Sequence, residues 1–378
     1  MTEYRFARPE EESQILDLID LVFSQNGRPH DFRKLLPKVY AHPGFADLHA
    51  VAVQEGRLRA TVALLPLTLQ YADGSLLQGG YIGSVAVHGQ SRGEGHMKAL
   101  MQLQLDAARH RSYDFLALGG QRQRYGYFGF ENGGTALTFH LNSANLRHAL
   151  PDADPDAVIL RPLQDADDPA LLGIAALQEG QPCFCRRNSA RLCDILHSYD
   201  AAPYAVEDQC TGALLGYFIA RGSHVSEMVL ADEALCPSIL KAWGQSHDHF
   251  SIRVWDGQPD RGAFLRSLAE GYTLEDAEML QVLQWPRVLF AALKFKNSIR
   301  PLPEGRRVIA VEGSGALCLR VAAGEATVFP TGEEPDLVLT DRQAISFFFS
   351  PLSSLIQADP LLAAWLPLPL SLLNADQF

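Results

Sequence analysis

The segment GSVAVHGQSRGEGHMKALM, residues 83–101, has residue types and spacing suited to binding an anion. Its centre is Gln90-x-x-Gly93-x-Gly95. Two glycines two residues apart let a backbone close on a pyrophosphate, and a helix opening just behind them aims its positive end at that charge. Arg92 adds a charge-assisted contact. A G-x-G alone is a common turn; here it follows a β-patterned run and opens an amphipathic helix, the setting in which such a turn holds phosphate. A second cluster, Cys183, Cys185, Cys193 and His197, lacks the paired C-x-x-C spacing of a zinc site. It is read as free thiols, with no metal. The third feature is the end of the chain. LPLPLSLLNADQF runs apolar and proline-punctuated almost to Phe378, where most domains fray into polar residues.

The elements that position these residues follow from periodicity. Residues 10–24 place Ile15, Leu18, Ile19 and Val22 on one helical face behind an acidic first turn. Three β-patterned runs follow: Leu48–Gln54, Arg57–Gln70 and Ser75–Val87, with turns at Glu55-Gly56 and Ala72-Asp73-Gly74. A helix is predicted from about Gly95 to Arg109, with Met97, Met101, Leu105 and Ala108 on one side, then a short strand, Asp114–Leu118. Pro151-Asp152-Ala153-Asp154-Pro155 marks a composition shift and is read as a linker. Beyond it, strands at Tyr204–Glu207, Ala213–Arg221 and Ser226–Leu230, a helix at 233–243 and a strand at Phe250–Val254 repeat the first element order, which points to internal duplication. From Pro286 a third pattern begins: a helix at 287–294, strands at Arg307–Val311, Ala316–Ala322, Ala326–Phe329 and 336–340, and a helix Asp341–Phe349 whose Thr340 and Gln343 have capping-box spacing.

At 378 residues the chain is too long for one ordinary core, so two or three domains are expected. Its 47% hydrophobic and 20% charged residues fit a globular protein. The net charge of -12 argues against nucleic acid and is compatible with a cationic small molecule. MTEYRFARPEEE has no basic or apolar leader pattern, and residues 346–373 are broken by Asp359 and four prolines, so neither secretion nor a membrane helix is expected. A reducing cytoplasm is the expected location.

Residues 83–101 resemble motif A of the GCN5-related N-acetyltransferases (GNAT), [QR]-x-x-G-x-[GA]. The resemblance implies acetyl-CoA as cosubstrate, held by Val85, Ala86, Val87, Arg92, Gly93, Glu94, Gly95, His96, Met97 and Lys98, with Gly120 and Gln121 as further contacts. The strand 85–87 would pair with the pantetheine arm, and the next strand would splay away to admit the thioester. The YGYFGF frame, residues 125–130, is similar to that of the enhanced intracellular survival (Eis) acetyltransferases. There the first tyrosine is the general acid, which implies that role for Tyr125, with Tyr127 the competing candidate and Phe128 and Phe130 as core. A phenol with pKa near 10 suits donation to a thiolate.

The Eis resemblance covers the whole chain and implies an α/β (α+β) fold in three parts. Residues 1–150 would be the catalytic GNAT domain, 151–285 a second GNAT-like domain without a cofactor site, and 286–378 a sterol-carrier-protein-like domain. Where the second copy of motif A would fall, the sequence reads Ala231-Asp232-Glu233, and acidic residues there would repel a pyrophosphate. For the base that an attacking amine needs, Glu94 lies in the phosphate turn, His88 and His96 are expected to be exposed, and Glu131 follows Phe130 into a strand. Eis-type enzymes, like N-myristoyltransferases, use the C-terminal carboxylate, and Asp376-Gln377-Phe378 matches their D-x-F end. An α-carboxyl of pKa about 3.5 becomes a competent base when burial raises it. The resemblance further implies transfer to primary amines of a cationic, aminoglycoside- or polyamine-like molecule or to lysine side chains, and a homo-oligomer, possibly a hexamer. A non-catalytic acyl-CoA or lipid-binding protein is the alternative.

Overall fold

An Asp-Gly turn joins the two longest neighbouring strands, Arg57–Tyr71 and Leu76–Val87. Asp73 accepts hydrogen bonds from the Ser75 amide and hydroxyl, and Gly74 takes φ +82°, the division of labour expected of that pair. The computed structural model describes residues 1–378 apart from 26, 27 and 256. Both strands are buried along most of their length, as befits strands covered on two faces.

From this hairpin one sheet extends in both directions. Its order is Glu3–Phe6, His49–Gln54, Arg57–Tyr71, Leu76–Val87, Phe115–Leu118, Gly271–Val282, Glu131–Asn142, His249–Val254, His224–Leu230, Leu214–Arg221, Ala202–Asp208 and Val158–Pro162. The short strand Cys183–Cys185 pairs with the far end of Arg57–Tyr71. Neighbours are antiparallel except at two places: Leu76–Val87 beside Phe115–Leu118, and His224–Leu230 beside His249–Val254. Each parallel pair is linked by a helix, His96–His110 in the first case and Cys236–Gly244 in the second, so the repeated element order is present in three dimensions.

Strands from distant parts of the chain interleave in this sheet. Gly271–Val282 inserts between Phe115–Leu118 and Glu131–Asn142 and pairs with both. Glu131–Asn142 in turn pairs with His249–Val254. A strand from beyond residue 270 therefore completes the sheet around the first parallel pair.

Helix Trp285–Ile299 leads into a separate four-stranded sheet, ordered Glu325–Pro330, Gly315–Ala322, Gly305–Val311 and Leu337–Leu339. Thr340 and Gln343 form the reciprocal capping box that their spacing predicts, starting helix Asp341–Phe349. Phe348 and Phe349 of that helix are fully buried. The chain then returns to the large sheet with Leu366, Leu368, Leu370 and Leu372 buried. Its main chain is fixed by Lys296 Nζ on the Pro367 carbonyl at 2.7 Å and by the Leu372 amide on Glu278 Oε1 at 2.8 Å. Among the described residues no helix is long and apolar enough to cross a membrane.

Candidate active site

The cleft arises where two strands part. Leu76–Val87 and Phe115–Leu118 pair only from Gly79–Phe115 to Ile82–Leu118. Beyond Ile82 the first strand leaves this neighbour and pairs only with Arg57–Tyr71. Its register against Arg57–Tyr71 shifts between Thr61 and Ala63, opposite Ser84, which takes φ +47°. This bulge bends the strand away from its parallel neighbour. It leaves a cleft of about 600 Å³, bordered by Gly83, Ser84, Val85, Val87, Arg92, Met97, Gly119, Arg124, Tyr125 and Phe378, with Val22 and Phe23 on the far wall.

The glycine turn closes one end. Gly93 and Gly95 have φ of +87° and +82°, with no atom within 4 Å of an added Cβ, so dihedral freedom and not space demands glycine there. Helix His96–His110 makes its first bond from the Ala99 amide to the Gly95 carbonyl. The amides ahead of it have no acceptor within the helix and are available to an anion. Arg92 stands exposed beside them.

The predicted cofactor residues do not all face one surface. Val85, Val87, Arg92 and Met97 border the cleft. Ala86, between two of them, is turned into the core by strand alternation. Lys98 lies on the outer side of the helix, its Nζ 5.0 Å from the centre of the Tyr127 ring. The Glu94 carboxylate turns back to accept from Gln54 Nε2 at 2.9 Å and stands 3.3 Å from His96 Nε2. The two histidines differ from the expectation of exposure. His96 is buried, its Nδ1 2.9 Å from the Tyr4 hydroxyl, because it opens the helix directly beneath the N-terminal strand. His88 is half-buried, and its ring accepts from the Gln90 amide.

Tyr125 ends the short turn Arg122–Tyr125 and is buried at the cleft wall. Burial raises its phenol above the usual tyrosine range, with Arg124 opposing, so the group is protonated at neutral pH. Gly120 makes room for it: an added Cβ would fall 2.3 Å from Tyr125 Cε2. Gln121 is exposed at the head of the turn. Tyr127 points to solvent, Phe128 is half-buried and Phe130 is fully buried. Glu131 is not free to act as a base. Burial alone would raise its carboxyl, but Arg122, the Asn132 amide and Arg342 together hold it below the ordinary glutamate range.

Phe378 also borders the cleft. A Cβ at Gly83 would lie 2.7 Å from the Phe378 carbonyl oxygen and 2.8 Å from its ring, so the last residue rests directly on the bulged strand. Two residues earlier, Asp376 is tied by Arg187, whose Nε and Nη2 reach it at 2.8 and 3.0 Å. The same guanidinium makes two 2.8 Å bonds to Glu227, which also accepts from the Tyr217 hydroxyl at 2.6 Å. Sequence reasoning missed Arg187 and Glu227, since nothing local marks an arginine whose partners lie 40 and 189 residues away.

At the second parallel pair the strands also part early, after two paired positions, His224–Ser251 and Val225–Ile252. That opening is filled from within. The Met228 carbonyl accepts from buried Arg261 and from Gln258 Nε2, and Arg261 is paired with Glu233. Of the cysteine cluster, Cys183 and Cys185 are buried in a strand and Cys193 Sγ lies 3.5 Å from His197 Nδ1. Among the described residues no group of three or more histidine, cysteine or acidic side chains is arranged to hold a metal.

Residues 3–133 match the protein family described as Acetyltransferase (GNAT) domain. Comparison with curated proteins gave no match. Among solved structures, a GCN5-related N-acetyltransferase from Anabaena variabilis is 19% identical, with a TM-score of 0.69 over 100% of both chains. A protein from Enterococcus faecalis described as a probable N-acyltransferase is 15% identical, with a TM-score of 0.69 over 100% of both chains. Eis1 from Mycobacterium abscessus is 17% identical, with a TM-score of 0.66, again over 100% of both chains. These likenesses show a shared fold along the whole chain. The family match makes residues 3–133 an acetyltransferase domain of GNAT type, which uses acetyl-CoA and an amine-bearing acceptor.

Proposed function

We propose that this GNAT-type acetyltransferase moves an acetyl group from acetyl-CoA directly to a primary amine, with Tyr125 as general acid and the Phe378 carboxylate as general base. The observation that carries the reading is the meeting of Tyr125 and Phe378 on one cleft, at the point where the strands part. The turn amides from Arg92 to Lys98 and the Arg92 guanidinium would take the pyrophosphate, and the strand 85–87 the pantetheine arm. Gly120 and Gln121 would flank the acetyl end. The amine nitrogen attacks the thioester carbonyl, so a C–N bond forms as the C–S bond breaks. The proton shed by the amine passes to the Phe378 carboxylate, directly or through one water, while the departing thiolate takes the Tyr125 proton. Solvent then restores both groups.

In this reading residues 1–150 form the catalytic domain and 151–285 a second GNAT-like domain. The Arg261–Glu233 pair that fills the second opening supports a copy without a cofactor site. Residues 286–378 form a sterol-carrier-like domain that delivers the tail. The acceptor is a cationic small molecule of aminoglycoside or polyamine type, or a lysine side chain, in keeping with the net charge of -12. The reading includes a cytoplasmic homo-oligomer. The test is release of coenzyme A thiol with a panel of mono-, di- and polyamines. Amine-dependent release is expected; none with any amine would sink the reading.

A further inference from the structure

We propose that Lys38 is the positioning residue that aims the terminal carboxylate, an assignment that rests on the acetyl-transfer reading above. Lys38 belongs to the short helical turn Pro37–Tyr40 and is buried. Lysine is almost never fully buried unless its head is paired. Here its Nζ donates to the Ala375 carbonyl at 2.7 Å and to the Gln377 carbonyl. It therefore grips the main chain on both sides of Asp376, and the second grip is on the peptide that leads into Phe378.

The surroundings show what the grip accomplishes. Arg187 holds the Asp376 side chain at 2.8 Å, so side chain and backbone of the penultimate stretch are fixed by different cations. Arg187 is paired with both Asp376 and Glu227, and Lys38 is left to the main-chain carbonyls. From the same turn as Lys38, the Tyr40 ring lies 6.1 Å from the Phe378 ring, and its hydroxyl is 2.6 Å from Ser84 Oγ on the bulged strand. Gly83 closes the other side, with no room for a Cβ. One turn thus fixes the peptide before Phe378, its ring, and the strand on which its carboxylate rests. A carboxylate that must meet an amine proton has to be placed within a fraction of an ångström, and a displacement of about 1 Å in a reacting group costs up to about 100-fold in rate. Lys38 acts on no reacting atom; it acts through the tail.

The test is a cycle of four proteins: wild type, Lys38→Met, a chain extended by two glycines after Phe378, and the double variant. Each is assayed for kcat with the best amine of the panel, for acetyl-CoA dissociation constant and for melting temperature. Lys38→Met is expected to lower kcat about 10- to 100-fold, leaving acetyl-CoA affinity within about twofold, because it touches no cofactor residue. The double variant is expected to be no slower than the slower single variant, since both act on one carboxylate. If Lys38→Met keeps wild-type kcat while the extension abolishes activity, the positioning role is overturned and the carboxylate reading stands. Multiplying effects in the double variant also overturn it. An extended chain as active as wild type overturns the carboxylate reading and the Lys38 role together. If Lys38→Met does not fold, Lys38→Gln, which keeps two N–H donors on a shorter stem, takes its place in the cycle. An intermediate kcat and the same non-additivity are then expected, and multiplying effects would again overturn the role.

Discussion

A phenol that keeps its proton and a carboxylate at the end of a threaded tail share the proton work of the proposed transfer. Tyr125 is held for donation by burial, which raises its pKa, and by the space that Gly120 leaves for its ring. Replacing it by phenylalanine keeps the ring and removes the hydroxyl that carries the proton. Tyr125→Phe should lower kcat about 100-fold, with acetyl-CoA affinity unchanged, as steady-state kinetics and calorimetry would measure; an unaltered kcat would remove Tyr125 from the mechanism. At this scale the glycine turn and the tyrosine frame were legible because each is a local pattern. His96 was not: its burial depends on the strand Glu3–Phe6 lying across it, some ninety residues away in sequence.

At the scale of elements, the alternating runs before residue 88 and the capping box at Thr340 gave nearly correct boundaries, since both signals are contained in a few residues. The strand Gly271–Val282 gave no such signal. Its first half is mostly exposed, and Glu275, Asp276 and Glu278 interrupt the apolar alternation that marks a strand. One of these residues has a measurable consequence. Glu278 is buried and accepts the Leu372 amide of the tail. Burial pushes its carboxyl up to about 7, against about 4.3 in an unfolded chain. The folded state then keeps a proton that the unfolded state gives up. That stabilisation is full below about pH 4.3 and is lost as pH rises through about 7. Glu278→Gln keeps an acceptor for Leu372 and removes the titration. The fall in melting temperature between about pH 5 and 7 should be shallower in this variant than in wild type; identical slopes would mean that Glu278 does not titrate there.

The whole molecule is held together by interleaved elements. The strand between Phe115–Leu118 and Glu131–Asn142 comes from residues 271–282, and the tail in the cleft comes from the last thirteen residues. The strand could not be read from the sequence, because it depends on pairings between residues more than 130 positions apart, whereas the tail was expected at the cleft only through the resemblance of its D-x-F end. A fragment of residues 1–150 lacks both neighbours of Glu131–Asn142 and one of Phe115–Leu118, and so leaves three sheet edges unpaired inside the core. It should therefore not fold or bind acetyl-CoA by itself, as circular dichroism and calorimetry would detect; a folded, cofactor-binding fragment would refute the dependence on interleaving.

The central claim is that a carboxylate delivered by the tail accepts the amine proton. The most direct measurement is single-turnover acetyl transfer by a chain extended by two glycines after Phe378, compared with wild type at saturating acetyl-CoA. The extension turns the carboxylate into a neutral amide and carries the new one away from Gly83. The account predicts a loss of about 100-fold or more in the transfer rate with acetyl-CoA binding intact. A transfer rate equal to that of wild type would contradict it.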